Sequence, residues 1–158
     1  MKKYVLVFVF DGSLEKVLLV QKNRPEWQRG HLNGVGGHVE EGESFRDAAY
    51  RELEEETGLG RKDVVLRPFA RVDSRPDYVM WVYQGRLSSQ KIAILPSRAD
   101  TGESLEMIGW EYVPMRKIVP DVAYLVPLAH CHAVGVGDRV AKLAIGGGEL
   151  DLVDTGEG

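Results

Sequence analysis

The chain has 158 residues, is 44% hydrophobic and carries a formal net charge of −4. That length supports one substantial core and is too short for two ordinary ones, so residues 1–158 read as a single domain. The acidic balance argues against a broad surface tracking the phosphates of a nucleic acid polymer and leaves a local basic patch open, the one cysteine (Cys131, read as small buried packing) excludes an internal disulfide and fits a reducing cytoplasm, and no run approaches the roughly 18 apolar residues of a membrane span.

The start, MKKYVLVFVF, briefly imitates a signal peptide, but it meets Asp11-Gly12 at once and lacks a small-residue cleavage site. It reads instead as a buried strand over residues 4–10, joined by a turn at Asp11-Gly12-Ser13 to a second strand over 16–21. A long loop over 23–33 leads to a short strand or turn at 34–39, and then to a helix. Strands are expected over 64–73 and 78–87, separated by Ser74-Arg75-Pro76-Asp77, with short ones over 90–95 and 109–113. The polar stretch 97–104 reads as a mobile loop. A second helix should begin near Asp121 and run to about His132, kinked or restarted at Pro127. The segments 138–145 and 149–154 flank Gly146-Gly147-Gly148, which suggests a terminal hairpin; residues from about 133 onward form a C-terminal extension, loose at its last four residues.

Residues 37–59, GHVEEGESFRDAAYRELEEETGL, hold seven glutamates in 23 positions. Ser44 is a good N-cap, with Asp47 three residues on to complete a box-like start, and Gly58 supplies the stop. At about 100° per residue, Phe45, Ala48, Ala49 and Leu53 form the buried stripe. Glu52, Glu55 and Glu56, spaced i, i+3, i+4, share a face that overlaps it, so these three should turn toward the protein body or a cleft, while Glu54 points to solvent. Glu54, Glu55 and Glu56 crowd the C-terminal turn, where the helix dipole disfavours acids by roughly 0.3–1 kcal/mol each. Carboxylates gathered against their mutual repulsion point to a divalent cation, and a site that leaves positions for water and phosphate suits Mg²⁺.

The segment resembles the Nudix box, Gly-x5-Glu-x7-Arg-Glu-U-x-Glu-Glu-x-Gly-U, with U a bulky aliphatic residue. Gly37, Glu43, Arg51, Glu52, Leu53, Glu55, Glu56, Gly58 and Leu59 fill every fixed position, and the likeness extends over about residues 3–130. The resemblance implies an α/β fold, an α/β/α sandwich with a mixed β-sheet. It also implies a Mg²⁺- or Mn²⁺-dependent hydrolase of nucleoside diphosphates linked to a further group. By position it makes Glu52, Glu55 and Glu56 metal ligands, one of them also a base, with the Gly36 or Gly37 carbonyl adding a ligand. Arg51 then orients the glutamates through Glu43 or Glu55. The family's further carboxylate outside the box is represented by Glu103 and Glu106.

For the substrate, residues 30–43 resemble Nudix enzymes that clean oxidised purine nucleoside triphosphates, in some of which the residue at the Asn33 position reads the base edge; equally, Asn33-Gly34 forms a turn on its own. Trp27 and Trp110 are candidates to stack on a base, with core packing the competing role for Trp110. Lys22, Arg24 and His38 lie on the approach to the glycine loop as candidate phosphate contacts, whereas His130 and His132 with Cys131 are too few for a zinc site and read as helix-end residues. The implied reaction takes a nucleoside triphosphate to monophosphate and pyrophosphate. ADP-ribose, a nucleotide sugar or a dinucleoside polyphosphate remain alternative substrates, with Pro76 a weak pointer to the first. A nucleotide-binding regulator without turnover is the alternative of a different class. Monomer and homodimer both stay open, and a cytoplasmic location is expected.

Overall fold

The computed structural model describes residues 1–88, 90–91, 95, 102–135, 140–144 and 150–153. Its centre is β1 (Lys2–Phe10), whose side chains alternate between two buried faces. Val5, Val7 and Val9 point to one core and Leu6, Phe8 and Phe10 to the other, the pattern of a strand covered on both sides. Among the described residues the sheet is mixed and nine-stranded. β6 (Tyr78–Arg86) runs parallel to β1 along its whole length, and β4 (Val35–His38) pairs antiparallel with its first half. β2 (Lys16–Gln21) joins at Phe10↔Val17 and carries β3 (Leu32–Asn33) and β7 (Ser104–Gly109). Beyond β6 lie β5 (Arg67–Ser74), then β8 (Val140–Ala144), then β9 (Leu150–Val153), which pairs antiparallel with β8.

Helix α1 (Phe45–Thr57) covers the first face through Ala48, Ala49 and Leu53, and α2 (Val122–Ala133) covers the second through Val122, Leu125, Val126 and Ala129. The result is the α/β/α sandwich. α1 begins where the sequence places it: the Ser44 side chain accepts from the Asp47 N–H at 3.1 Å, and its hydroxyl donates back to the Asp47 carboxylate at 2.7 Å. It ends at Gly58, whose φ of 76° lies in the left-handed region that other residues resist.

Four expectations change. The strand placed at 109–113 lies earlier, at 104–109, because β7 matches the six residues of β2 and the Trp110 N–H then closes on the Glu15 carbonyl. Trp110–Met115 forms a 3-10 turn that buries Val113. Gln90 and Lys91 are helical rather than extended, while residues 92–94, and 97–101 of the polar loop, lie outside the described residues. α2 is one continuous helix with Pro127 inside it, its inward residues fully buried against the sheet. Cys131 is exposed, since it falls on the face of α2 opposite those residues. No helix among the described residues is long and apolar enough to cross a membrane.

Leu53 is fully buried where α1 meets β1. Leu53→Ala should therefore lower unfolding free energy by about 2–5 kcal/mol, read from denaturant titration with the circular dichroism spectrum unchanged.

Candidate active site

The loop after β4 and the outer side of α1 are joined through Arg51. Its Nε and Nη2 donate to Glu43 at 2.9 and 3.1 Å, and its Nη1 donates to Glu52 at 2.9 Å. Nη2 also reaches the His38 carbonyl at 2.8 Å, while Glu55 accepts at a longer 3.4 Å. This bonding holds the Glu43 carboxyl below its usual range and raises the Arg51 guanidinium. Glu55, with its side chain 56% exposed, stands at the rim instead of facing inward with the other two.

Glu52 and Glu56 turn inward. Close approach explains Gly37: a Cβ there would overlap the Glu52 carboxylate, with its Cδ at 2.6 Å. Burial pushes the Glu52 carboxyl above its ordinary range, against the pull of Arg51. Glu56 is only 5% exposed. Burial, reinforced by the nearby Glu103 and Glu52, lifts its carboxyl to about 7, with Lys22 and the Gly36 N–H drawing it down only in part. The Lys22 ammonium sits between Glu103 at 3.4 Å and Glu56 at 3.7 Å. Glu103 is itself buried and accepts the Asn23 N–H at 2.9 Å.

The two acids proposed from outside the box separate cleanly. Glu103 joins the cluster; Glu106 does not. Residues directly opposite on paired strands share a face, and Glu106 is opposite Leu19, which belongs to the core under α2. Glu106 accordingly lies across the sheet from α1, held by a bidentate bond from Arg116 at 2.7 and 2.9 Å. Trp110 also departs from the cluster, stacking on His130 at 4.2 Å and packing against the α2-side core. Trp27 is 65% exposed within a 3-10 turn, and Arg24 is exposed beside it. Asn33 accepts the Gly34 N–H on its side-chain amide oxygen at 2.8 Å and donates to Gln28 at 3.3 Å, between β3 and β4.

His38 is exposed and its ring packs on Tyr4 at 4.3 Å, which meets Tyr78 edge-on at 5.8 Å. Sequence reasoning missed Tyr4 and Tyr78, because only the β1–β4 and β1–β6 registers bring them beside His38.

A divalent cation fits these residues chemically. Glu56 Oε2 is buried without a hydrogen-bond partner, the missing side chain of Gly37 lets the Glu52 carboxylate lie against the glycine backbone, and a cationic ammonium already sits between Glu56 and Glu103. Among the described residues the acids do not converge into a group of three that could hold a metal; Arg51 and Lys22 bridge them instead.

The NUDIX domain family model matches residues 2–128. The chain belongs to this family, whose members generally use divalent metal ions and act on nucleotides. An oxidized purine nucleoside triphosphate hydrolase of Mus musculus is 48% identical over 56 residues, 35% of this chain and 34% of that protein; the matched stretch thus spans about a third of the curated relative. Among solved structures, a MutT protein from Bacillus halodurans superposes with a TM-score of 0.67 at 17% identity, covering 96% of this chain and 97% of that one. The NUDIX domain of Shewanella oneidensis NrtR, complexed with ADP ribose, gives 0.64 at 20% identity, covering 83% and 87%. At these identities the structures show a shared fold.

A carboxyl raised from 4.5 to about 7 on folding binds its proton more tightly in the folded state. Its contribution to stability is complete below 4.5 and is lost as pH rises to about 7. Metal-free protein should therefore lose up to about 3 kcal/mol of unfolding free energy across that window, and Glu56→Gln should flatten the loss; denaturant titrations in chelator at several pH values measure both.

Proposed function

We propose that this chain is a Nudix pyrophosphohydrolase that cleaves a nucleoside diphosphate linked to a further group, with a nucleoside triphosphate, including an oxidised purine form, as substrate. The observation that carries the reading is the buried pair Glu56 and Glu103 bridged by Lys22, with the partly buried Glu52 against Gly37, in a family that acts on nucleotides. Apart from a cation site, such a set of acids has no stabilising role, since each raises the cost of ionising the others.

Glu52, Glu55 and Glu56, with a glycine-loop carbonyl and Glu103, would hold Mg²⁺ or Mn²⁺, which supplies charge neutralisation on the phosphate oxygens and makes a bound water more acidic. The chain's own groups do the rest. A buried carboxylate near neutrality is suited to accept the proton of the attacking water, and Glu56 has that property. Arg51 fixes Glu52 and Glu43 in orientation. Lys22, which bridges Glu56 and Glu103, would supply a positive charge for a phosphoryl oxygen if a metal held those carboxylates. Water adds to phosphorus as the bridging P–O bond breaks, and the products are a monophosphate and pyrophosphate.

For the nucleoside end, the Tyr4–His38–Tyr78 group beside Gly37 offers aromatic faces for a base. The partial match to an oxidized purine nucleoside triphosphate hydrolase supports the same class of substrate. Residues 1–158 are taken as one functional unit, with the β8–β9 hairpin extending the sheet.

A panel of unmodified and oxidised nucleoside triphosphates, ADP-ribose, nucleotide sugars and dinucleoside polyphosphates, assayed with Mg²⁺, tests this. Pyrophosphate release fastest from an oxidised purine triphosphate is expected, abolished by chelator. Glu52→Gln and Glu56→Gln should each lower kcat by about a hundredfold or more with the fold retained. Preference for ADP-ribose would replace the substrate, and nucleotide binding without any turnover would replace the enzyme by a regulator.

A further inference from the structure

At the end of the sheet remote from the carboxylates, a cleft of about 760 Å³ opens between the loop after α1, the C-terminal ends of β6 and α2, and the start of β8. Gly36 pairs with Leu6 and Leu6 with Val82, so Arg86 lies four residues, roughly 13 Å, further along β6 than the glycine loop. Arg61, Lys62, Arg67 and Arg86 line the cleft, together with Gln84 and His132.

The register explains how the cations are gathered. Arg67 is directly opposite Gln84, and Arg86 follows two residues on, so all three project to one face. That face is the one under α2, because Gln84 Nε2 meets His132 Nδ1 at 3.1 Å. Gln84 is 6% exposed and forms the floor; Arg67 and Arg86 are exposed above it.

Acids do not balance them. Of the described lining residues only Asp63 is acidic, and it is engaged by Lys91 at 2.7 Å and by the Gly60 N–H at 2.9 Å. Arg61 is already paired with Asp47 and lies over the Tyr50 ring. Among the described residues, the Arg67, Arg86 and Lys62 side chains have no hydrogen bond or ion pair. Nor are they needed to cap the helices that end here, since Gly58 closes on Glu54, and Val134 and Gly135 close on His130 and His132. In a chain of net charge −4, two unpartnered guanidiniums on one face of adjacent strands are a local expense with no structural return.

We propose that this cleft is a second anion site, which takes a small molecule bearing a diphosphate, with Arg67 and Arg86 each engaging a phosphoryl group and Lys62 adding charge. Guanidiniums on diagonal positions stand about 7–8 Å apart at Cβ, and each presents a planar fork that matches phosphate oxygens. The site needs no metal and stands whether or not the carboxylate cluster cleaves nucleotides.

The probe is inorganic pyrophosphate, titrated calorimetrically into the full chain in excess chelator, with backbone amide shifts recorded in parallel. Saturable binding is expected, with shifts concentrated at residues 61–67 and 84–86. The double variant Arg67→Ser/Arg86→Ser should weaken it at least tenfold while leaving Mg²⁺-dependent hydrolysis and the circular dichroism spectrum unchanged. Glu52→Gln should bind pyrophosphate as the parent does. No saturable binding, equal binding by the double variant, or equal displacement by chloride at matched ionic strength would each overturn the proposal. Much tighter binding of a single-stranded oligonucleotide than of pyrophosphate would overturn it in favour of a polymer surface.

Discussion

Arg51 is the residue on which the carboxylate site depends. One guanidinium ties the loop glutamate Glu43, the helix glutamate Glu52 and the backbone carbonyl of His38, and so locks α1 to β4. Without a positive charge at that point, Glu43, Glu52 and Glu55 would repel, and the His38 carbonyl at the end of β4 would lose its bond to the helix. A lysine could not replace it, because three separate acceptors in different directions need the fixed fork of an arginine.

Lys22 does for the inner pair what Arg51 does for the outer set. It comes from the end of β2, crosses to Glu56 and Glu103, and reduces a repulsion that burial would otherwise amplify. In the metal-free site two cations thus offset only part of the charge of five acids, and one oxygen of Glu56 is left unsatisfied. The sandwich provides the burial: both faces of β1 are filled, so the glycine loop is pressed against α1 from a rigid base.

The cleft at the far end rests on the same sheet but on different chemistry. Among the described residues, its Arg67, Arg86 and Lys62 form no ion pair, whereas at the near end Arg51 and Lys22 are shared among five acids. Charge is therefore sorted along β6, with carboxylates gathered near Gly37 and guanidiniums beyond Gln84. A net charge alone gives no indication of such sorting.

Local sequence determined most of what is local. The cap at Ser44, the stop at Gly58, the buried stripe of α1, the two-faced β1 and the box positions of Glu43, Arg51, Glu52 and Glu56 all follow from spacing, because helix and strand periods fix which side chains share a face. Strand limits near 90–113 were less legible, since β7 takes its length from β2 and not from its own residues. The choice between Glu103 and Glu106 was invisible: both are acids on one short segment, and only the pairing of β7 with β2 sends Glu106 to the α2 face and leaves Glu103 beside Lys22. Trp110 turned to His130, Tyr4 came beside His38, and Arg67 took a position diagonal to Arg86 for the same reason. Contacts between residues far apart in the chain depend on register and on which face is covered, and those are properties of the assembled sheet.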